Sequence, residues 1–120
     1  MPVELKNLIV WQKSHELVKK VYEVTLEFHR SEEYGLASQM KRAAISIPSN
    51  IAEGKERGSS KDYKRFLYIA RGSLGELKYQ LFLASDLEFI PKDEYAKIEC
   101  LTVEIGKMLN TIIKKLEDRE

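Results

Sequence analysis

The chain is poor in residues that interrupt or cross-link a fold. It holds three prolines, six glycines and one cysteine in 120 residues. So few turn-formers exclude an architecture of many short strands and point to long unbroken elements. A lone cysteine, Cys100, excludes an internal disulfide and reads as a small helix-face or core residue in a reducing compartment rather than a catalytic thiol. No stretch approaches the roughly 18 consecutive apolar residues of a membrane-spanning helix. The opening MPVELKNLIVWQKS lacks the basic-then-apolar layout of a signal peptide, so no membrane association and a cytoplasmic location are expected. Histidine is also scarce. Neither His15 nor His29 follows a glutamate at the three-residue spacing of a di-metal bundle, so no metal or cofactor is expected. The glycines of ARGSLGEL lie inside a helical pattern and lack the Lys-Ser/Thr of a phosphate loop. Ser46 and Ser73 have no evident His–Asp partners. Glu53 and Glu76 read as structurally paired carboxylates rather than an acid–base pair. The expectation is a protein that is not an enzyme.

What is present is helical periodicity. Leu17, Val21, Val24 and Phe28 recur at steps of four, three and four, which predicts a first helix over about Leu5 to Phe28. A second is expected to open at Ser31 as N-cap, with Glu32 and Glu33 in its first turn, and to bury Leu36, Met40, Ala43, Ile47 and Ile51 before Gly54 and Gly58 end it. Ser59-Ser60-Lys61-Asp62 has the form of a capping box for a third helix, whose stripe runs Tyr63, Leu67, Ala70, Leu74, Leu77, Leu81, Ala84 to near Glu88. After Pro91 a fourth carries Tyr95, Ile98, Ile105, Met108, Ile112 and Leu116 on one face. Short connections make successive helices antiparallel. The expected fold is all-α: one domain over residues 1–120, an up-down-up-down antiparallel four-helix bundle.

AAISIPSNIAEGKERGSS places Pro48, Asn50 and Glu53 amid apolar residues. Pro48 should free the Ala44 carbonyl and kink the second helix. Ser46, Ser49 or Asn50 could brace that turn, and Glu53 could pair with Arg57 or with a basic residue of the third helix. A hairpin about this loop pairs residues whose numbers sum to about 116. Ala43 would then meet Ser73, Ser46 would meet Ala70, and Asn50 would meet Phe66. The small residues Gly72 and Gly75 suggest close backbone approach there. Arg42 and Glu76 should form an interhelical ion pair. Asn50, Glu53 and Glu76 are thus structural polar candidates.

Charge is distributed unevenly on a chain of net charge +1. Residues 41–71 contain eight Lys/Arg and three Asp/Glu, a local excess of five. Local positive charge points to a polyanion. The eight are Lys41, Arg42, Lys55, Arg57, Lys61, Lys64, Arg65 and Arg71, interleaved with Tyr63, Phe66 and Tyr68.

YGLASQMKRAAISIPSNIAEGKERGS, followed by DYKRFLYIARGSLGELKYQLFLA and preceded by WQKSHELVKKVYEVT, resembles the four-helix-bundle family of proteins encoded in intervening sequences of 23S ribosomal RNA genes. The family's AAxSIPxNIAEG is preceded by two basic residues, supplied here by Lys41 and Arg42. The resemblance implies a homopentameric ring and a link with nucleic acid. A related accessory protein of diversity-generating retroelements binds nucleic acid and a reverse transcriptase through a basic surface. The expected function is therefore that of an oligomeric, non-enzymatic accessory protein that binds RNA or DNA backbone through a basic edge built from the eight cations. Ser59 and Ser60, at a helix start, are expected to favour a phosphate there. The alternative is a protein–protein assembly module without nucleic-acid binding.

Overall fold

The computed structural model of the chain, described over residues 1–119, is helical, with no strand among those residues. A short α1 (Val3–Lys6) precedes four long helices: α2 (Ile9–Thr25), α3 (Leu36–Glu56), α4 (Ser60–Asp86) and α5 (Lys92–Asp118). Each long helix packs on two others in a closed square: α2 on α3 and α5, and α4 on α3 and α5. The bundle is elongated, with extents of 46 × 24 × 21 Å. Its core holds Leu17, Val21, Met40, Ile47, Ile51, Leu67, Leu77, Leu81, Ile98 and Ile105 from the stripes read from the sequence. On α5 Leu101, Leu109 and Ile113 are buried as well, while Tyr95, Met108 and Ile112 of the expected stripe pack only partly buried against the core.

The first helix is interrupted. Leu8 is extended, with φ −80° and ψ 114°, and separates α1 from α2. Leu5 and Val10 are both buried. On a continuous helix, residues five apart lie about 140° around the axis, so both could not face one core. The break lets them. The second helix also begins later than expected. Ser31 is not its cap. The His29 Nδ1 accepts from the Ser31 N–H at 3.1 Å and closes a three-residue 3₁₀ turn, Arg30–Glu32, ahead of Gly35 and α3.

Pro48 does not break α3, which runs unbroken through it to Glu56. Asn50 Nδ2 donates to the Ser46 carbonyl at 2.7 Å and to Ser46 Oγ at 2.9 Å, tying together the turn that contains the proline. Ser46 Oγ in turn lies 2.8 Å from Ser73 Oγ across the helix pair. Gly54 does not end α3 either. It is buried within the last turns. A Cβ placed on it would lie 2.8 Å from Phe66 Cβ and 3.2 Å from the Tyr63 carbonyl. That is the close approach of α3 and α4. Gly72 and Gly75, expected to fill this role, have nothing within 4 Å of a Cβ position. Nothing within the chain accounts for glycine at either.

The pairs Ser46–Ser73 and Gly54–Phe66 move the register by about one turn from the expected one, and α3 continues past Gly54 to leave a connection of only Arg57–Ser59. Gly58, at φ +82°, makes the reversal. Ser59 caps α4 as anticipated, its Oγ accepting from the Asp62 N–H at 3.1 Å. Asp62 turns instead to Arg65, at 3.7 Å. At the far end, Glu88 takes the left-handed conformation, φ +64°. The Phe89 N–H then reaches the Ala84 carbonyl and the Glu88 N–H that of Ser85, at 2.8 and 3.0 Å, a Schellman close.

The Gly54 contact generates a test. Gly54→Ala gains about 1 kcal/mol of helix propensity, yet overpacking against Phe66 Cβ and backbone costs about 1–3 kcal/mol. Urea unfolding should show a less stable variant. A variant more stable than the parent would mean that α3 and α4 separate without penalty.

Candidate nucleic-acid interface

The eight cations occupy two regions of the bundle. Lys55 and Arg57 close α3. Lys61, Lys64 and Arg65 stand on the first turns of α4, and Arg71 follows one to two turns later. Lys41 and Arg42 lie in the second turn of α3, about 22 Å along the axis from Arg57 at 1.5 Å per residue. They do not join the loop edge, because α3 runs continuously between them.

At the loop edge, aromatic rings organise the cations. Phe66 is buried beneath the turn. The Arg57 and Arg65 guanidinium carbons sit 5.1 and 4.6 Å from its ring centroid. Lys55 Nζ lies 5.4 Å from the Tyr63 ring, and the Arg71 guanidinium 4.8 Å from the Tyr68 ring. Such contacts hold a cation in place while its N–H groups stay available to solvent or a ligand. The charges of Arg57 and Arg65 are partly offset. Arg57 pairs with Glu53 at 3.6 Å, as its i,i+4 spacing suggested, and Arg65 pairs with Asp62. Both pairs are exposed and of small energetic weight. Lys61, Lys64, Arg65, Tyr68 and Ile69 line a shallow depression on the outer face of α4.

Arg71 Nη1 donates to Asn110 Oδ1 at 3.0 Å, and the Tyr68 hydroxyl donates to Glu117 at 2.8 Å. These bonds tie the edge to α5. Sequence periodicity offered no route to them, since Asn110 and Glu117 sit on the polar face of a distant helix. Burial holds the Tyr63 hydroxyl above the ordinary tyrosine range. Tyr68 is also raised, first by its hydrogen bond to Glu117.

The second region has its own aromatics. Lys41 Nζ lies 5.2 Å from the Tyr22 ring. Lys41, Arg42, Tyr22, Tyr34 and Ile45 line a depression with Glu33 at its margin. The Arg42–Glu76 ion pair is not formed. Both side chains are exposed, and Glu76 accepts from Gln80 Nε2 at 3.3 Å. Register alone does not prevent the pair, because Arg42 and Glu76 stand close to the register of Ser46–Ser73 and Gly54–Phe66; both side chains stay at the surface instead. Glu76 is thus neither buried nor interhelical. Asn50 and Glu53 do hold local structure, at Ser46 and Arg57.

The sequence profile of the 23S rRNA-intervening sequence protein family matches residues 6–111. A solved structure, described as a protein with unknown function from the S23 ribosomal protein family of Bacteroides thetaiotaomicron, superposes with a TM-score of 0.79 at 30% identity, covering 88% of this chain and 98% of that one. No curated protein matches the chain. Among the described residues no helix is long and apolar enough to cross a membrane.

The Tyr68–Glu117 bond is accessible to titration. The raised value means that the protonated phenol is favoured in the fold. The contribution is present below the ordinary tyrosine range and lost as pH rises through the folded value. Glu117→Gln should move the Tyr68 transition down in an ultraviolet titration, with Tyr68→Phe identifying it. An unmoved transition would show that the bond is not formed in solution.

Proposed function

Because the chain belongs to the 23S rRNA-intervening sequence protein family, we propose that it is a non-enzymatic accessory protein of the cytoplasm that binds the phosphate backbone of RNA or DNA. The binding edge is the α3–α4 turn with the first turns of α4. Lys55, Arg57, Lys61, Lys64 and Arg65 carry the contacts, Arg71 extends them, and Lys41 and Arg42 form a separate outpost. The observation that supports this is the convergence of the basic segment on a short helical hairpin, with guanidinium groups seated on Phe66 and Tyr68. A backbone-directed site of this kind is largely indifferent to base sequence and sensitive to salt.

A second reading is an assembly module that engages proteins only. It draws on Tyr79 and Phe82, which are 63% and 55% exposed on the outer face of α4. The two readings are compatible through self-association. We take the homopentamer as the assembled form, and avidity across a ring would strengthen a weak edge. A reverse transcriptase or another protein would be a further partner of such a ring.

Neutralising Lys55, Arg57, Lys61, Lys64 and Arg65 together to glutamine should weaken binding of labelled RNA and DNA in fluorescence anisotropy. The slope of log affinity against log salt should flatten, by up to about 0.7–0.9 for each phosphate no longer neutralised. Helicity should hold, because these side chains lie outside the core. Unchanged affinity and slope would exclude this edge as the site. Light scattering should give about five times the 13.9 kDa chain mass, and the mass of a monomer would exclude the ring.

A further inference from the structure

The up-down topology brings the N-termini of α2 and α4 and the C-termini of α3 and α5 together at one end of the bundle. The C-termini of α3 and α5 lie beside the N-terminus of α4, and α1 folds across them. They enclose a cleft of about 470 Å³, within the range of small-molecule sites. Lys55 enters it from α3, Lys115 and Arg119 from the end of α5, and Glu4 from α1, with Tyr63 and Ser60 on the α4 wall. Cations at the C-termini of α3 and α5 suit the helix dipoles. That accounts for Lys55 and Lys115 in those last turns but not for the cleft's own excess of positive charge. Three cations face one carboxylate, a net charge of +2. Elsewhere on the bundle, lysines close to carboxylates pair with them, as Lys13 does with Glu104 and Lys97 with Glu94. Among the described residues, the side chains of Lys115 and Arg119 have no hydrogen-bond or ion-pair partner.

We propose that this cleft is a binding site for a phosphate monoester on a nucleotide-sized group, either a free mononucleotide or the terminal nucleotide of a strand. A monoester carries close to two negative charges at neutral pH, which matches the cleft's excess. An internal phosphodiester carries one. The Arg119 guanidinium presents a planar fork to phosphate oxygens, and the two ammonium groups add point charges. The Tyr63 and Ser60 hydroxyls supply neutral donors on the α4 wall. The site is distinct from the depression on α4, which is lined by Lys61, Lys64, Arg65 and Tyr68. Its strand-end form rests on the nucleic-acid reading. Its mononucleotide form does not.

The experiment has two arms and one variant, Lys115→Gln with Arg119→Gln, which leaves the α4 edge intact. Circular dichroism first confirms that the variant remains helical. In the first arm, adenosine 5′-monophosphate and adenosine are titrated by ligand-observed NMR. In the second, a short single strand is compared with and without a 5′-phosphate by anisotropy. The parent should favour the phosphorylated ligand roughly tenfold or more in at least one arm, a difference typical of gained charge-assisted contacts. The double variant should lose that preference while binding the unphosphorylated strand as the parent does. Preference in the first arm alone identifies free mononucleotide as the source. Preference in the second alone identifies the strand end. If the parent shows no preference in either arm, or the variant keeps it, the proposal is overturned. Absence of all strand binding with retained mononucleotide preference in the parent would instead sink the nucleic-acid reading and leave the cleft standing.

Discussion

The contact of Gly54 with Phe66 governs the rest of the bundle. It is a close approach of two helix backbones, and a side chain at position 54 would collide with both a Cβ and a main-chain carbonyl. With that distance set, α3 can run on to Glu56 and reverse within three residues. Phe66 is then pinned beneath the turn, and Arg57 and Arg65 have a common ring to rest on. The Ser46–Ser73 bond continues the same seam two turns away. A glycine deep in a helix is costly by propensity alone. Here the cost is offset by the packing it permits.

Where helical periodicity governs, the sequence is legible. The apolar stripes of the four long helices, the Ser59 cap and the Glu53–Arg57 pair all follow from local spacing, and the structure has them. What escapes depends on competition between equally plausible local signals. Ser31 is a good cap in isolation, but the neighbouring His29 takes its N–H first. Leu5 and Leu17 can be read onto one helix, but Leu5 and Val10 cannot both be buried without the break at Leu8. The glycines mislead in the same way. Gly72 and Gly75 suggest the close approach because they come as a pair, while Gly54 suggests a terminator because it precedes charged residues.

The candidate interface divides along the same line. The identity of its cations is readable from composition, but their grouping is not. Lys41 and Arg42 are near the loop in sequence and far from it in space, because a helix converts sequence separation into distance. Conversely, Lys115 and Arg119 are remote in sequence and come beside Lys55 only through the topology. Their significance is invisible until α5 is seen to end where α3 ends. The Arg42–Glu76 pair fails although its register is nearly met: both side chains stay exposed, and Glu76 bonds along its own helix to Gln80.

The unbroken run of α3 through Pro48 has a consequence for scale. It holds the Lys41–Arg42 outpost and the loop edge apart as a helical spacer of about 22 Å. Duplex nucleic acid advances about 3.4 Å per base step along each strand. A duplex lying along this helix and touching both clusters would therefore cover about six or seven base steps between them, well over half a helical turn. Its contacted phosphates would lie on strands that have rotated around the duplex between the two ends. A single strand, free to follow the protein surface, would meet no such requirement. The continuous run of α3 thus acts as a ruler that treats stiff and flexible polyanions differently before any base is read.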